Sequence, residues 1–264
     1  MSRERFFSTH RVCCYCGGDA KAETIDHIPA RITFRGKRRP KGLEVPAFES
    51  CNQRTKIIDL IPAMMCRIDP RNFNDEDNAD LAKILNAIRN NDSPMLAELQ
   101  HVSRRQRRSF EQLNAPDTYA GVLNASGPRT GLYMQKFGLK LGLALHYYNT
   151  GIVVPKIGGV AVRWFTNANL IENDFLFEIL ERLDEPRTLR QGKWHVSEEF
   201  TVSSKITECQ KGGAYLSVFR GAFAICSFVY TDVKISRMAN DIWFHRPGDW
   251  EINAWSLGLT RLSV

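Results

Sequence analysis

Residues 12–34 read VCCYCGGDAKAETIDHIPARITF and residues 41–56 read KGLEVPAFESCNQRTK. Cys13 and Cys16 are spaced as a knuckle, Asp26-His27 follows ten residues after Cys16, and Cys51-Asn52 stands where a second knuckle closes. Seven cysteines are too few for a secreted disulfide scaffold of 264 residues, and three of them crowd positions 13–16, which suits a metal better than crosslinks. Asp26 and His27 adjoin on what reads as a strand. Successive strand side chains face opposite ways, so the pair serves one substrate group only where the backbone bends, as Pro29 and the basic loop after it allow.

Composition sets the outer bounds. With 43% hydrophobic and 25% charged residues the chain can bury one large core or two modest ones, and it is not a disordered protein. No stretch reaches the roughly 18 apolar residues of a membrane span. The start, MSRERFFSTHRV, lacks the apolar run of a secretory signal, so a cytoplasmic location without a membrane partner is expected. The net charge of +7 is uneven: residues 1–60 hold twelve Lys/Arg against seven Asp/Glu, which is +5 of the total. A compact basic module with a near-neutral remainder suits a polyanionic partner, although a solvated basic surface has the same composition.

Changes of pattern divide the chain. A first unit covers residues 1–68 and ends where Pro70 and an acidic, Asn-rich run interrupt the apolar periodicity. A second, 69–264, begins with helices over about 77–150. Among them are SPMLAELQHVSRRQRRSFEQL, with Ser93 as N-cap and Pro94 at the first helical position, and a long buried helix ending at Gly151. Mostly strands follow over about 156–264, interrupted by the helical DFLFEILERLD. Helices followed by consecutive strands predict an α+β fold with a mostly antiparallel sheet. No glycine-rich phosphate loop or dinucleotide fingerprint is present.

The order C-x-x-C, D-H, x-x-x-C-N, carried by Cys13, Cys16, Asp26, His27, Cys51 and Asn52, resembles the HNH (ββα-metal) endonucleases, in particular their zinc-knuckle branch. TIDHIPARITF and LEVPAFESCN are similar to phrases of bacterial HNH proteins, and the likeness covers residues 12–60 only. It implies a treble-clef-like ββα module that hydrolyses phosphodiester bonds in DNA, leaving 5′-phosphate and 3′-hydroxyl ends. His27 would be the general base, Asp26 and Asn52 would hold Mg²⁺ or Mn²⁺, and Cys13, Cys16 and Cys51 would hold a structural Zn²⁺. The chemistry suits those residue types: oxygen ligands hold hard cations, and an imidazole of pKa about 6.5 is mostly neutral at pH 7. Arg35, Lys37, Arg38 and Arg39 lie between the Asp-His pair and the second knuckle and are expected to face nucleic-acid phosphates. Cutting both strands would call for a homodimer, and residues 69–264 are left to recognise a substrate, a protein partner or a signal.

The chain departs from the family at two places. The middle Asn falls near Gly42, where a main-chain carbonyl usually does the work, and Phe48 stands where the fourth cysteine belongs. A phenyl ring cannot bind zinc, which leaves Glu49, His10 or water as fourth ligand, or no zinc at all with Phe48 as packing. A continuous helix from residue 52 would carry Cys66 on the order of 20 Å away, whereas a kink at Pro62 would shorten that distance. Phe48 therefore also motivates an alternative: a catalytically degenerate zinc-knuckle module that binds nucleic acid or protein. A third reading gives the main function to residues 69–264 and lets the knuckle dock a partner. Cys14 reads as structural, His146 as a core histidine, and RRQRR at 104–108 as an exposed helical face; Trp243, Phe244, Trp250 and Trp255 read as packing, and His101, His195 and His245 have no partner pattern.

Overall fold

The computed structural model describes residues 2–68, 75–101, 127–166, 174–187, 189–191, 194–196, 198–232 and 243–252. The basic run 104–108 and Trp255 lie outside them. After α1 (Arg3–Thr9), strands β1 (Thr24–His27) and β2 (Glu44–Ala47) pair antiparallel, with Asp26 opposite Val45 and His27 opposite Glu44. Helix α2 (Glu49–Lys56) starts directly after β2. It does not run on past residue 56: the chain turns and restarts as α3 (Leu60–Met65), with Pro62 in the first turn, where a missing N–H leaves no helical bond unmade. Cys66 follows as a buried thiol whose pKa burial pushes up to about 12.

Helices α4 (Asp75–Asn91) and α5 (Ser93–Gln100) meet at Asp92, which corrects the expected cap by one residue. The Asp92 carboxylate accepts the Met95 N–H, placing Ser93 inside the helix ahead of Pro94. The long helix α6 (Pro128–Thr150) stops, as expected, at Gly151, whose φ of 73° suits glycine. Beyond it β3 (Gly159–Thr166), β6 (Phe200–Ile206), β7 (Gly212–Phe219), β8 (Phe223–Tyr230) and β9 (Trp243–His245) form one sheet in the order β6-β7-β8-β3-β9, and the ladders are antiparallel. The two-residue strands β4 (Arg190–Gln191) and β5 (Trp194–His195) pair as a separate ribbon. The fold is thus α+β, as the element order predicted.

Alternation along the strands settles what each sheet face covers. Val160 and Val162 on β3 meet α6, while Phe165 on the opposite face joins Leu176 of α7 (Asp174–Arg182) in a small second cluster. Helix α6 lies so close to the sheet that a Cβ on Gly138 would stand 2.3 Å from Val162, and one on Gly142 2.7 Å from Val160. Those glycines let the helix axis approach. On its other sides α6 packs against β2, α3 and α5, so residues from before and after position 68 share one core. The helix buries two lysines, Lys136 and Lys140, one turn apart. Among the described residues no helix is long and apolar enough to cross a membrane.

Candidate functional site

The knuckle is built by short main-chain bonds that the C-x-x-C-G-G sequence makes possible. The Cys13 N–H donates to Ala20 O (2.9 Å), the Cys14 N–H to Pro46 O of β2 (3.0 Å), and Gly17 and Gly18 turn the chain at φ 76° and 85°. Cys51 enters from the first turn of α2. The sulfurs of Cys13, Cys16 and Cys51 lie within 4.8 Å of one another, and these residues can hold a metal ion. A tetrahedral ion with Zn–S of about 2.3 Å separates its sulfurs by about 3.8 Å, a modest contraction from this spacing. The Cys13 thiol is held down to about 6 by the Cys51 thiol, against the opposing effect of burial, with main-chain donors at Phe48, Tyr15 and Cys16 adding to the shift. Burial raises the Cys16 pKa, and hydrogen bonding to Cys13 raises that of Cys51.

Neither proposed protein substitute for the fourth cysteine joins that group among the described residues. His10 Nδ1 is 2.6 Å from the Tyr147 hydroxyl, and Glu49 accepts from Gln53 Nε2 at 3.0 Å. Phe48 caps α2 through its backbone, and its ring packs against the core. Cys14 is fully buried with a strongly raised pKa, caused first by burial and then by Cys13.

Asp26 points into the core. Its Oδ2 accepts the Tyr15 hydroxyl at 2.7 Å and lies 3.2 Å from Lys140 Nζ, and its Oδ1 accepts the His27 main-chain N–H at 2.8 Å. Lys140 also donates to Asp59 Oδ2 at 2.8 Å. Burial opposes the Lys140 charge, but Asp59 and Asp26 overcome it and raise the pKa, so the ammonium persists. Asn52 faces the same side of β1, where its Nδ2 donates to Thr24 Oγ1 at 3.2 Å.

The donor set around Asp26 does not fit a hard divalent ion in this arrangement. The one carboxylate is 8% exposed, both oxygens already accept, and a buried ammonium stands beside it. Like charges about 4 Å apart repel by on the order of 4 kcal/mol per unit charge at intermediate dielectric.

His27 faces the other way. Its Nδ1 has no hydrogen-bond partner and lies 3.6 Å from Glu44 Oε1, directly across the ladder. Both side chains are about a third exposed, at 34% and 37%. The half-buried Arg39 guanidinium sits in the field of both Glu44 and Asp26; burial lowers its pKa and the two carboxylates oppose that. β1 thus separates the adjacent side chains, setting Asp26 against Tyr15 and Lys140 and His27 against Glu44.

The expected phosphate-facing residues divide as well. Arg35 is committed elsewhere: its Nε donates to Asp77 Oδ2 at 2.9 Å, and Arg220 grips the same carboxylate through both nitrogens at 3.1 and 3.0 Å. Arg38 is exposed, Arg39 is half-buried in the field of Glu44 and Asp26, and the side chain of Lys37 lies outside the described residues. His146 is a core residue whose Nδ1 is 3.1 Å from the Tyr215 hydroxyl, and burial lowers its pKa to about 4. His245 joins Lys136 and Asp249, and Trp250 packs edge-on against Tyr15.

Tyr15, Asp59, Lys140 and Glu44 carry much of this geometry and were not singled out by their sequence. A signal for the lysine exists: Lys136 and Lys140 recur at i, i+4 inside YMQKFGLKLGLALHYY, and lysines buried in an apolar helix need carboxylate partners. No family model matches the chain, and neither a curated protein nor a solved structure matches it.

Proposed function

We propose that the N-terminal ββα module hydrolyses phosphodiester bonds in nucleic acid, with DNA as the first substrate to test. The observation that carries this reading is His27: a third-exposed imidazole at the end of β1 whose buried Nδ1 has no hydrogen-bond partner and faces Glu44 across the ladder. In the step, His27 takes a proton from water as the water oxygen bonds to phosphorus. The P–O3′ bond breaks, and the leaving oxygen takes its proton from solvent. Arg38 and Arg39 neutralise phosphate charge. The three cysteines, with zinc as the ion that suits such a sulfur set, hold the knuckle against the hairpin and α2. No step is routed through Mg²⁺ or Mn²⁺, because Asp26 and Asn52 do not fit such an ion as they stand.

A second reading, binding without cleavage, is favoured by that same closed Asp26 and by Phe48 in place of a cysteine. Plasmid cleavage by the wild type and by His27→Ala, each with Mg²⁺, Mn²⁺ or EDTA, separates the two. Nicking or linearisation that disappears in the variant supports hydrolysis. Salt-sensitive DNA binding by both proteins, with no cutting in any metal, selects the binding module.

A further inference from the structure

Asp26 and His27 adjoin in sequence, yet the β1 pleat turns them apart, so a base at His27 needs a partner other than Asp26. The register supplies one. His27 and Glu44 are directly opposed on β1 and β2, which puts their side chains on one face of the hairpin. Glu44 Oε1 is 3.6 Å from His27 Nδ1, and that nitrogen has no other partner. The gap exceeds a hydrogen bond by about half an ångström, which a small χ adjustment of a glutamate closes. Catalytic hydrogen bonds are often long before substrate binds. The other carboxylate nearby cannot compete, because both Asp26 oxygens are taken by Tyr15, Lys140 and the His27 amide.

We propose that Glu44 is the positioning residue of His27. It accepts a hydrogen bond from Nδ1–H, fixes that tautomer, and leaves the Nε2 lone pair to take the proton from the attacking water. The logic is that of any imidazole base whose far nitrogen is held by a carboxylate: the carboxylate sets tautomer and ring orientation and stabilises the imidazolium formed in the step. The catalytic role of the pair rests on the hydrolytic reading above; the hydrogen bond and tautomer do not.

The experiment keeps these separable. Nitrogen-15 spectra of the imidazoles in full-length wild type, Glu44→Gln and Glu44→Ala report which His27 nitrogen carries the proton, with His27→Ala assigning the signals. Plasmid cleavage by the same proteins reports the rate. Protonation at Nδ1 in the wild type, moving to Nε2 in Glu44→Ala, is expected. With it should come a fall in kcat on the order of tenfold to a hundredfold at little changed KM, and a smaller fall in Glu44→Gln, which keeps an acceptor oxygen.

Glu44 is more than a third exposed, so both variants should fold, which their near-ultraviolet circular dichroism checks. An unchanged tautomer in Glu44→Ala overturns the proposal. So does a greater demand for Mg²⁺ with no tautomer change, which would make Glu44 an ion ligand. A wild type that cuts nothing removes the hydrolytic reading, while the nitrogen spectra still decide whether Glu44 holds the ring.

Discussion

The two sides of β1 carry the same ingredients in opposite settings. Inward, Asp26 meets Tyr15 and the Lys140 ammonium in a site almost closed to water; outward, His27 meets Glu44 with about a third of each open. The difference teaches which side can do chemistry. A carboxylate whose oxygens are both engaged by buried donors is held in place by those bonds and contributes to the fold. The His27 imidazole is about a third exposed while its Nδ1 is buried near Glu44, so its access to a substrate or to water is through the rest of the ring.

The most damaging perturbation should erase both sides together. The three sulfurs bring the knuckle against α2, and the Cys14 N–H bonds it to β2, so an ion held by the sulfurs would join the knuckle directly to α2. Zinc-site binding energy is largely folding energy, and even a fraction of it is several kcal/mol. Stripping the metal with a strong chelator, or Cys51→Ser, should lower the melting temperature by on the order of 10 °C. Zinc measured by atomic absorption should leave in parallel. A protein that melts unchanged after quantitative removal of bound metal would show that core packing around Phe48, without an ion, holds the knuckle.

A smaller perturbation tests each side separately. Lys140→Met leaves Asp26 and Asp59 as two buried carboxylates without their cation, and such a break typically destabilises by about 3–5 kcal/mol. Glu44→Gln acts on a pair that is more than a third exposed, so its effect on stability should stay within about 0.5 kcal/mol. Urea unfolding of the two variants reads both numbers. Comparable losses would mean that the His27 side is as structural as the Asp26 side, and the division of roles across β1 would fail.

Much of this was legible in the sequence, for physical reasons. Strand alternation, glycine stops and helix periodicity report local sterics, so strands β3, β6, β7 and β8, the end of α6 at Gly151 and the hairpin around Asp26 and His27 could be located in advance. Cys13, Cys16 and Cys51 were legible because ligand spacing is a local constraint on the backbone. What could not be read was which side chain meets which across long separations. Lys140 reaches Asp26 and Asp59, and Arg35 reaches Asp77, through tertiary packing that no local pattern encodes. The break between α2 and α3 was obscured because RTKIIDLIPAMM keeps helical apolar spacing through the turn.

The subtlest test lies on the inward side, where one ammonium serves two carboxylates. Asp59 is wholly buried, its Oδ1 has no partner, and burial raises its pKa to about 6 against the pull of Lys140. A carboxyl that binds its proton more tightly folded than unfolded stabilises the protein where it is protonated. Its contribution therefore declines as pH rises from about 4 to about 6. His146, depressed to about 4, acts with the opposite sign, since its burial as a neutral ring contributes stability that is lost as pH falls from about 6.5 to about 4. The wild-type curve mixes the two, whereas its difference from Asp59→Asn isolates Asp59. Between pH 4 and pH 7 the wild type should lose on the order of 1–3 kcal/mol relative to that variant, read by urea unfolding across the range. Parallel curves would mean that Lys140 keeps Asp59 ionised despite its burial.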